Sequence, residues 1–104
     1  MDAQIKKGLL DVCVLAAVYQ EESYGYKIVS DLGPKIGISE STLYPILRRL
    51  EQSACLTTRE AAHNGRLRKY YAITELGRER VSDFLSGWHE IQAIFDYIKG
   101  ETER

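Results

Sequence analysis

The sequence predicts a mainly α fold of the α+β class, with three helices, a β-hairpin and a long last helix. Three observations carry that expectation. Apolar residues recur at helical spacing in four separate stretches, residues 56–73 switch to β-branched and aromatic types around an Asn64-Gly65 pair, and an apolar seam runs on from Thr74. At 104 residues the chain fits one domain by size, burying roughly two thirds of its unfolded surface. Its 44% hydrophobic and 28% charged residues are ordinary for a globular protein and argue against disorder.

The first helix is expected over residues 5–19, IKKGLLDVCVLAAVY. Ile5, Leu9, Val12, Cys13, Ala16 and Ala17 share one stripe, and Leu10, Val14, Leu15 and Val18 fill most of the remaining circumference. A helix this apolar is buried from more than one side, so it is central or lies in a subunit interface. After the polar break QEESYG, in which Ser23 is a cap candidate, residues 24–32 resume the helical pattern through Tyr24, Ile28, Val29 and Leu32. Gly33 and Pro34 then supply a stop signal, and residues 35–38 form a linker.

The third helix is STLYPILRRLE, residues 41–51, ending near Gln52. Leu43, Ile46, Leu47 and Leu50 fall on one face, yet Pro45 sits among them without a backbone N–H. Ser39 and Ser41 are both candidates for its N-cap. If Ser41 caps, Pro45 lies at the end of the first turn and costs at most one hydrogen bond; if Ser39 caps, a local distortion is expected at the proline. Opposite the leucines lie Ser41, Pro45, Arg48 and Gln52, flanked by Tyr44 and Arg49. Hydroxyls, a phenol, an amide and guanidiniums make a donor-rich surface suited to phosphates and base edges, or simply a solvated face.

LTTREAA and LRKYYAI follow, joined through His63, Asn64, Gly65 and Arg66. Asn-Gly between two such runs predicts a two-stranded hairpin, because a type I′ turn needs positive φ at both central residues. Thr74 opens the last helix, expected to run to about Lys99 and to close at Gly100. Val81, Phe84, Trp88, Ile91, Phe95 and Ile98 step by threes and fours, the a/d seam of a coiled coil, and Leu85 and Ile94 widen it. So wide an aromatic stripe exceeds what a small body can cover. It predicts homodimerisation through this helix, assisted by the first, with two recognition helices for a palindromic site. Trp88, the single tryptophan, lies mid-seam, as a large core residue or as one wall of a slot for a flat aromatic ligand.

The net charge of −1 hides an uneven distribution. Residues 48–69 hold six Lys or Arg against two Glu, or +4, whereas residues 1–47 come to −2 and residues 70–104 to −3. A polyanion would be met by the basic third, which coincides with the third helix and the hairpin. Arg66, Arg68 and Lys69, with Arg59 across from them, form a cationic tip with no nearby acid other than Glu60. Other classes are disfavoured. Cys13 and Cys55 form no CxxC pair and have only His63 and His89 as companions, so neither a metal nor another cofactor is expected, and the thiols fit a reducing compartment. No secretory signal or bilayer-spanning run is present and the chain reads as cytoplasmic. No nucleophile, base and orienter set suggests an enzyme.

Helix, helix, helix, hairpin, helix is the element order of a winged helix-turn-helix, whose third helix enters the DNA major groove while the hairpin, or wing, reaches the flanking backbone or minor groove. The expected division is a winged-helix unit over residues 1–73, with its wing at about 56–73, and a dimerisation helix with a short tail over 74–104.

The stretches YGYKIVSDL (24–32), STLYPILRRLE (41–51) and GRLRKYYAITELGRE (65–79) resemble the PadR-type transcriptional regulators, in particular the short subfamily with a single C-terminal helix. The resemblance spans about residues 8–80. It implies a homodimeric repressor holding double-stranded operator DNA, with Ser41, Thr42, Tyr44, Pro45 and Arg48 in the recognition motif and Arg66, Arg68 and Lys69 in the wing motif. Multidrug-responsive members place a tryptophan at the dimer centre, at the position of Trp88. An effector site for a planar aromatic molecule is therefore implied at Trp88, Ile91 and Gln92, with Leu9, Val12 and Cys13 as further lining. The family pattern often has Gly-Leu-Ile where this chain has Ala54, Cys55 and Leu56. A rival expectation is a dimerising winged-helix module that binds protein and not DNA.

Overall fold

A computed structural model of the chain describes residues 3–104, with side chains from residue 6 onward. The elements are α1 (Ala3–Ala17), β1 (Ser23–Tyr24), α2 (Gly25–Ile36), α3 (Glu40–Gln52), β2 (Leu56–His63), β3 (Arg66–Ile73) and α4 (Glu75–Thr102). The expected winged-helix architecture is present. β2 and β3 pair antiparallel from Leu56 opposite Ile73 to His63 opposite Arg66. The tip residues Asn64 and Gly65 have φ of 51° and 77°, as a type I′ turn demands.

The wing is not two-stranded, however. β1 adds to the free edge of β3, Ser23 opposite Tyr71 and Tyr24 opposite Tyr70, giving the order β1-β3-β2. Two residues are too few for a period-two pattern, so nothing local announces this strand. It also overturns the cap expected at Ser23, which is buried in β1, whereas Tyr24 stands at the N-cap of α2 and makes no side-chain cap bond.

Two helix ends lie beyond their expected stops. α2 passes through Gly33 and Pro34 and closes at Gly37, whose φ is 76° and whose N–H donates to the Gly33 carbonyl at 2.8 Å. A proline so near the end costs one hydrogen bond, which the last turn tolerates. α4 runs past Gly100 to Thr102, whose hydroxyl donates to the Ile98 carbonyl at 2.8 Å. Thr74 caps α4 as expected, accepting from the Gly77 N–H at 3.1 Å.

α3 begins after Ser39, which resolves the choice of cap. The N–H groups of Leu43 and Thr42 donate to its carbonyl at 2.9 and 3.2 Å, while its hydroxyl engages those of Ser41 (3.1 Å) and Thr42 (3.2 Å) instead of a backbone N–H. Pro45 is therefore inside the helix, and α3 continues through it to Gln52. At the far end, Cys55 N–H donates to Leu50 O at 2.8 Å and Ala54 N–H to Glu51 O at 3.0 Å, a Schellman closure with Ala54 at φ 63°.

The core joins Val14 and Leu15 of α1, Val18 just beyond it, Ile28 of α2, Ile38, the four apolar residues of α3, Cys55, Leu56, Tyr71 and Val81. α1 is central, but its buried line is Asp11, Val14 and Leu15, continued by Val18 in the following turn. On the predicted stripe Leu9, Val12, Cys13 and Ala17 are half-buried and Ala16 is exposed, and the Ile5 side chain lies outside the described residues. α4 contributes only Gly77 and Val81 to the buried set; beyond them it projects along the 62 Å long axis. No helix among the described residues is long and apolar enough to cross a membrane.

Candidate nucleic-acid interface

The two faces of α3 divide cleanly. Leu43, Leu47 and Leu50 are 0% exposed and Ile46 is 5%, and each leucine sequestered this way contributes roughly 1.5–3 kcal/mol. The opposite face presents Ser41, Thr42, Tyr44, Pro45 and Arg48 to solvent. The pyrrolidine ring therefore interrupts the backbone ladder on the outward side, where no packing depends on it.

Tyr44 is held rather than loose. Its ring lies over the start of α2, so close to Gly25 that a Cβ there would sit 2.3 Å from the phenol oxygen. Only glycine leaves this space, and the packing aims the hydroxyl into a cleft of about 660 Å³ between α3, the N-terminus of α2 and β3. Tyr26, Lys69, Tyr71 and the wing residues Arg66, Leu67 and Arg68 line the same cleft. α3, through Tyr44, and the wing thus border one concave, donor-rich surface. Burial raises the Tyr71 phenol above its ordinary range, so it stays protonated and available as a donor.

The six cations of the basic third do not all face outward. Arg49 turns inward and donates to the buried Asp11 carboxylate, which corrects its place on the polar face. Arg59 pairs with Glu22, donating through Nε at 2.9 Å, and holds that carboxyl below its usual range. Lys69 stands 3.5 Å from Glu51. The wing is therefore not free of acids: Glu22 and Glu51, distant in sequence, are brought to it by β1 and by the end of α3. Arg48, Arg66 and Arg68 make no ion pair among the described residues, and Lys69, whose side chain is half exposed, makes only its looser contact with Glu51.

A ladder of side chains braces the wing. Tyr24 and Tyr70 meet edge to face at 5.8 Å, the Arg59 guanidinium lies 4.6 Å over Tyr70, and that of Arg68 lies 3.8 Å over Tyr24. Two residues at this surface have no earlier signal, Leu67 at 74% exposure beside the wing tip and Tyr26 at 71% on α2. Large exposure of apolar bodies among cations was the cue, and it is visible only in three dimensions.

On α4 the seam is largely bare. Val81 is buried and Phe84 half-buried, but Trp88, Ile91, Phe95 and Ile98 are 44 to 55% exposed, and Leu85 and Ile94 are 61 and 55%. Trp88, Ile91, Gln92 and Phe95 line a shallow hollow of about 200 Å³. Leu9, Val12 and Cys13 of the same chain do not line it. Burial raises the Cys13 thiol above its usual value, and no group of three or more metal-ligating side chains comes together among the described residues.

Residues 14–83 match the profile of the transcriptional regulator PadR-like family. An uncharacterized protein of Lysinibacillus sphaericus is 31% identical over 99 residues, spanning 90% of this chain and 91% of its own length. Among solved structures, a Streptococcus transcriptional regulator is similar with a TM-score of 0.83 at 33% identity, covering 94% of this chain and 99% of that one. Bacillus subtilis PadR in complex with operator DNA is similar with a TM-score of 0.69 at 26% identity, over 74% of this chain and 45% of that one.

Proposed function

Because the chain belongs to the PadR-like family of transcriptional regulators, we propose that it is a homodimeric repressor that grips palindromic operator DNA with α3 and the wing. As a member of a family of transcription regulators it is not an enzyme. The observation that carries the DNA reading is the single concave surface on which Tyr44, Arg66, Arg68 and Lys69 converge beside the outward face of α3. Ser41, Thr42, Pro45 and Arg48 meet base edges and phosphates in the major groove, with the Pro45 ring as an apolar contact for a thymine methyl. Arg66, Arg68 and Lys69 meet the flanking backbone. A similar fold bound to operator DNA supports this reading.

Residues 1–73 act as the reading unit and residues 74–104 as the dimerisation helix. A bare seam of Trp88, Ile91, Phe95 and Ile98 is explained by a second copy across a twofold axis, and the half-exposed stripe Leu9, Val12 and Cys13 of α1 adds to that interface. The hollow at Trp88, Ile91 and Gln92, doubled by symmetry, is a slot for a planar aromatic effector. Its occupant releases DNA by favouring one angle between the long helices over another.

A gel-shift titration of the Arg66→Ala/Arg68→Ala double variant tests the interface. Operator affinity is expected to fall at least tenfold at moderate salt, with a shallower salt dependence, since fewer counterions are released. Unchanged affinity removes the wing from the interface, and absence of any salt-dependent DNA binding in the parent chain favours a protein-binding module instead. For the slot, Trp88 emission should be quenched by flat aromatic compounds; unaltered emission across a panel would sink it.

A further inference from the structure

Asp11 is the only buried carboxylate among the described residues, at 4% exposure. Its two oxygens go to different helices. Arg49 of α3 donates through Nη2 to Oδ1, and Arg80 of α4 donates through Nη2 to Oδ2 at 2.9 Å. A carboxylate withdrawn from water costs several kcal/mol unless it is paired and hydrogen-bonded, so this arrangement holds only while both guanidiniums stay in place. α1 lies at the centre of the core and serves as the fixed post between them.

The neighbours of the two arginines give the contact its meaning. Arg49 follows Arg48 in sequence and lies on the same helix as Tyr44 and Pro45, so a tether on its guanidinium adds to the restraint that the buried Leu43, Ile46, Leu47 and Leu50 already place on the rotation of α3. Arg80 precedes Val81, the one buried residue of the α4 seam. A turn of α4 large enough to draw the Arg80 guanidinium from Oδ2 would leave Asp11 with Arg49 alone.

We propose that Asp11 is a positioning residue for DNA recognition, holding α3 in the rotation that presents Ser41, Tyr44, Pro45 and Arg48 to the operator, with Arg80 as its link to α4. This rests on the reading that α3 contacts DNA. A purely stabilising ion pair lowers the melting temperature yet leaves the folded protein equally selective. A positioning contact changes selectivity, because base-edge bonds tolerate misplacement less than phosphate contacts do.

The test is fluorescence anisotropy of the full chain with an operator duplex, recovered by selection from random DNA, and with a scrambled duplex of equal length. Arg80 is 39% exposed, so Arg80→Gln removes the link without opening the core. The operator-to-scrambled affinity ratio is expected to fall at least tenfold, while scrambled affinity and its salt slope stay within twofold of the parent. Arg80→Lys, which keeps a cation but not the planar fork, is expected to recover part of the ratio. A ratio within twofold of the parent in Arg80→Gln overturns the inference. If that variant gives no cooperative melt, Arg80→Lys decides: a drop of about threefold or more supports positioning, and an unchanged ratio overturns it. A parent chain that binds no duplex overturns the DNA reading itself, and this inference with it, before any variant is compared.

Discussion

α3 and α4 carry the same kind of signal, apolar residues at three- and four-residue steps, and end in opposite situations. α3 places all four of its apolar residues inside the body of its own chain, at 0 to 5% exposure. α4 buries Val81 and then leaves Trp88, Ile91, Phe95 and Ile98 about half exposed. The difference lies in what surrounds each helix. α3 is enclosed by α1, α2 and the sheet, whereas α4 has no fully buried residue beyond Val81, and a helix of 28 residues reaches about 42 Å. Periodicity therefore reports that a face will be covered without reporting by what.

The largest expected effect separates the two helices directly. Leu47→Ala should destabilise the fold by about 2–5 kcal/mol, through lost burial and the cavity left behind. That is a large part of the stability of a domain this size. Chemical denaturation measures it, and a change below 0.5 kcal/mol, on the scale of surface substitutions, would mean that Leu47 does not anchor α3.

Ile91→Glu/Phe95→Glu on α4 should leave the body folded, because neither side chain is in its core. If α4 dimerises as proposed, the double substitution should leave a monomer in sedimentation analysis and weaken operator binding by about a hundredfold, or ~2.7 kcal/mol, as one half-site is lost. A variant that remains dimeric would mean that α4 is covered by something other than its own copy.

The smallest effect concerns the end of α3. Ala54 occupies the left-handed position of a Schellman closure, where a Cβ is disfavoured, and its carbonyl accepts from the Thr74 hydroxyl at 2.6 Å. Ala54→Gly should relieve that strain and raise stability by about 0.5–1 kcal/mol, seen as a higher midpoint of thermal unfolding, with dimer affinity unchanged. A lower midpoint would show that the entropy lost by glycine outweighs the strain.

Which residues α3 and the wing expose was largely legible in advance. Leu43, Ile46, Leu47 and Leu50 fix which side of α3 faces in, so Ser41, Tyr44, Pro45 and Arg48 had to face out, and Asn64-Gly65 fixed the wing register. The misreadings share one cause. Ser23 as a cap, Gly33-Pro34 as a stop and Gly100 as an end were local signals overruled by longer-range contacts or by the surplus of bonds in a helix. The charge reading missed the partners of Arg49, Arg59 and Lys69 for a related reason: Asp11, Glu22 and Glu51 are remote in sequence, and a count along the chain cannot pair them.

The sequence by itself determined the element order, the hairpin and its turn, the inward face of α3 and the cap at Thr74, because each follows from spacing or from backbone preferences that act over a few residues; the family came from the resemblance of its motifs. Tertiary structure alone decided the third strand, the inward turn of Arg49, the seat of Tyr44 on Gly25 and which cations stay unpaired. Those depend on which groups meet in space, and an ion pair or a close contact has no signature until the chain has folded to bring its partners together.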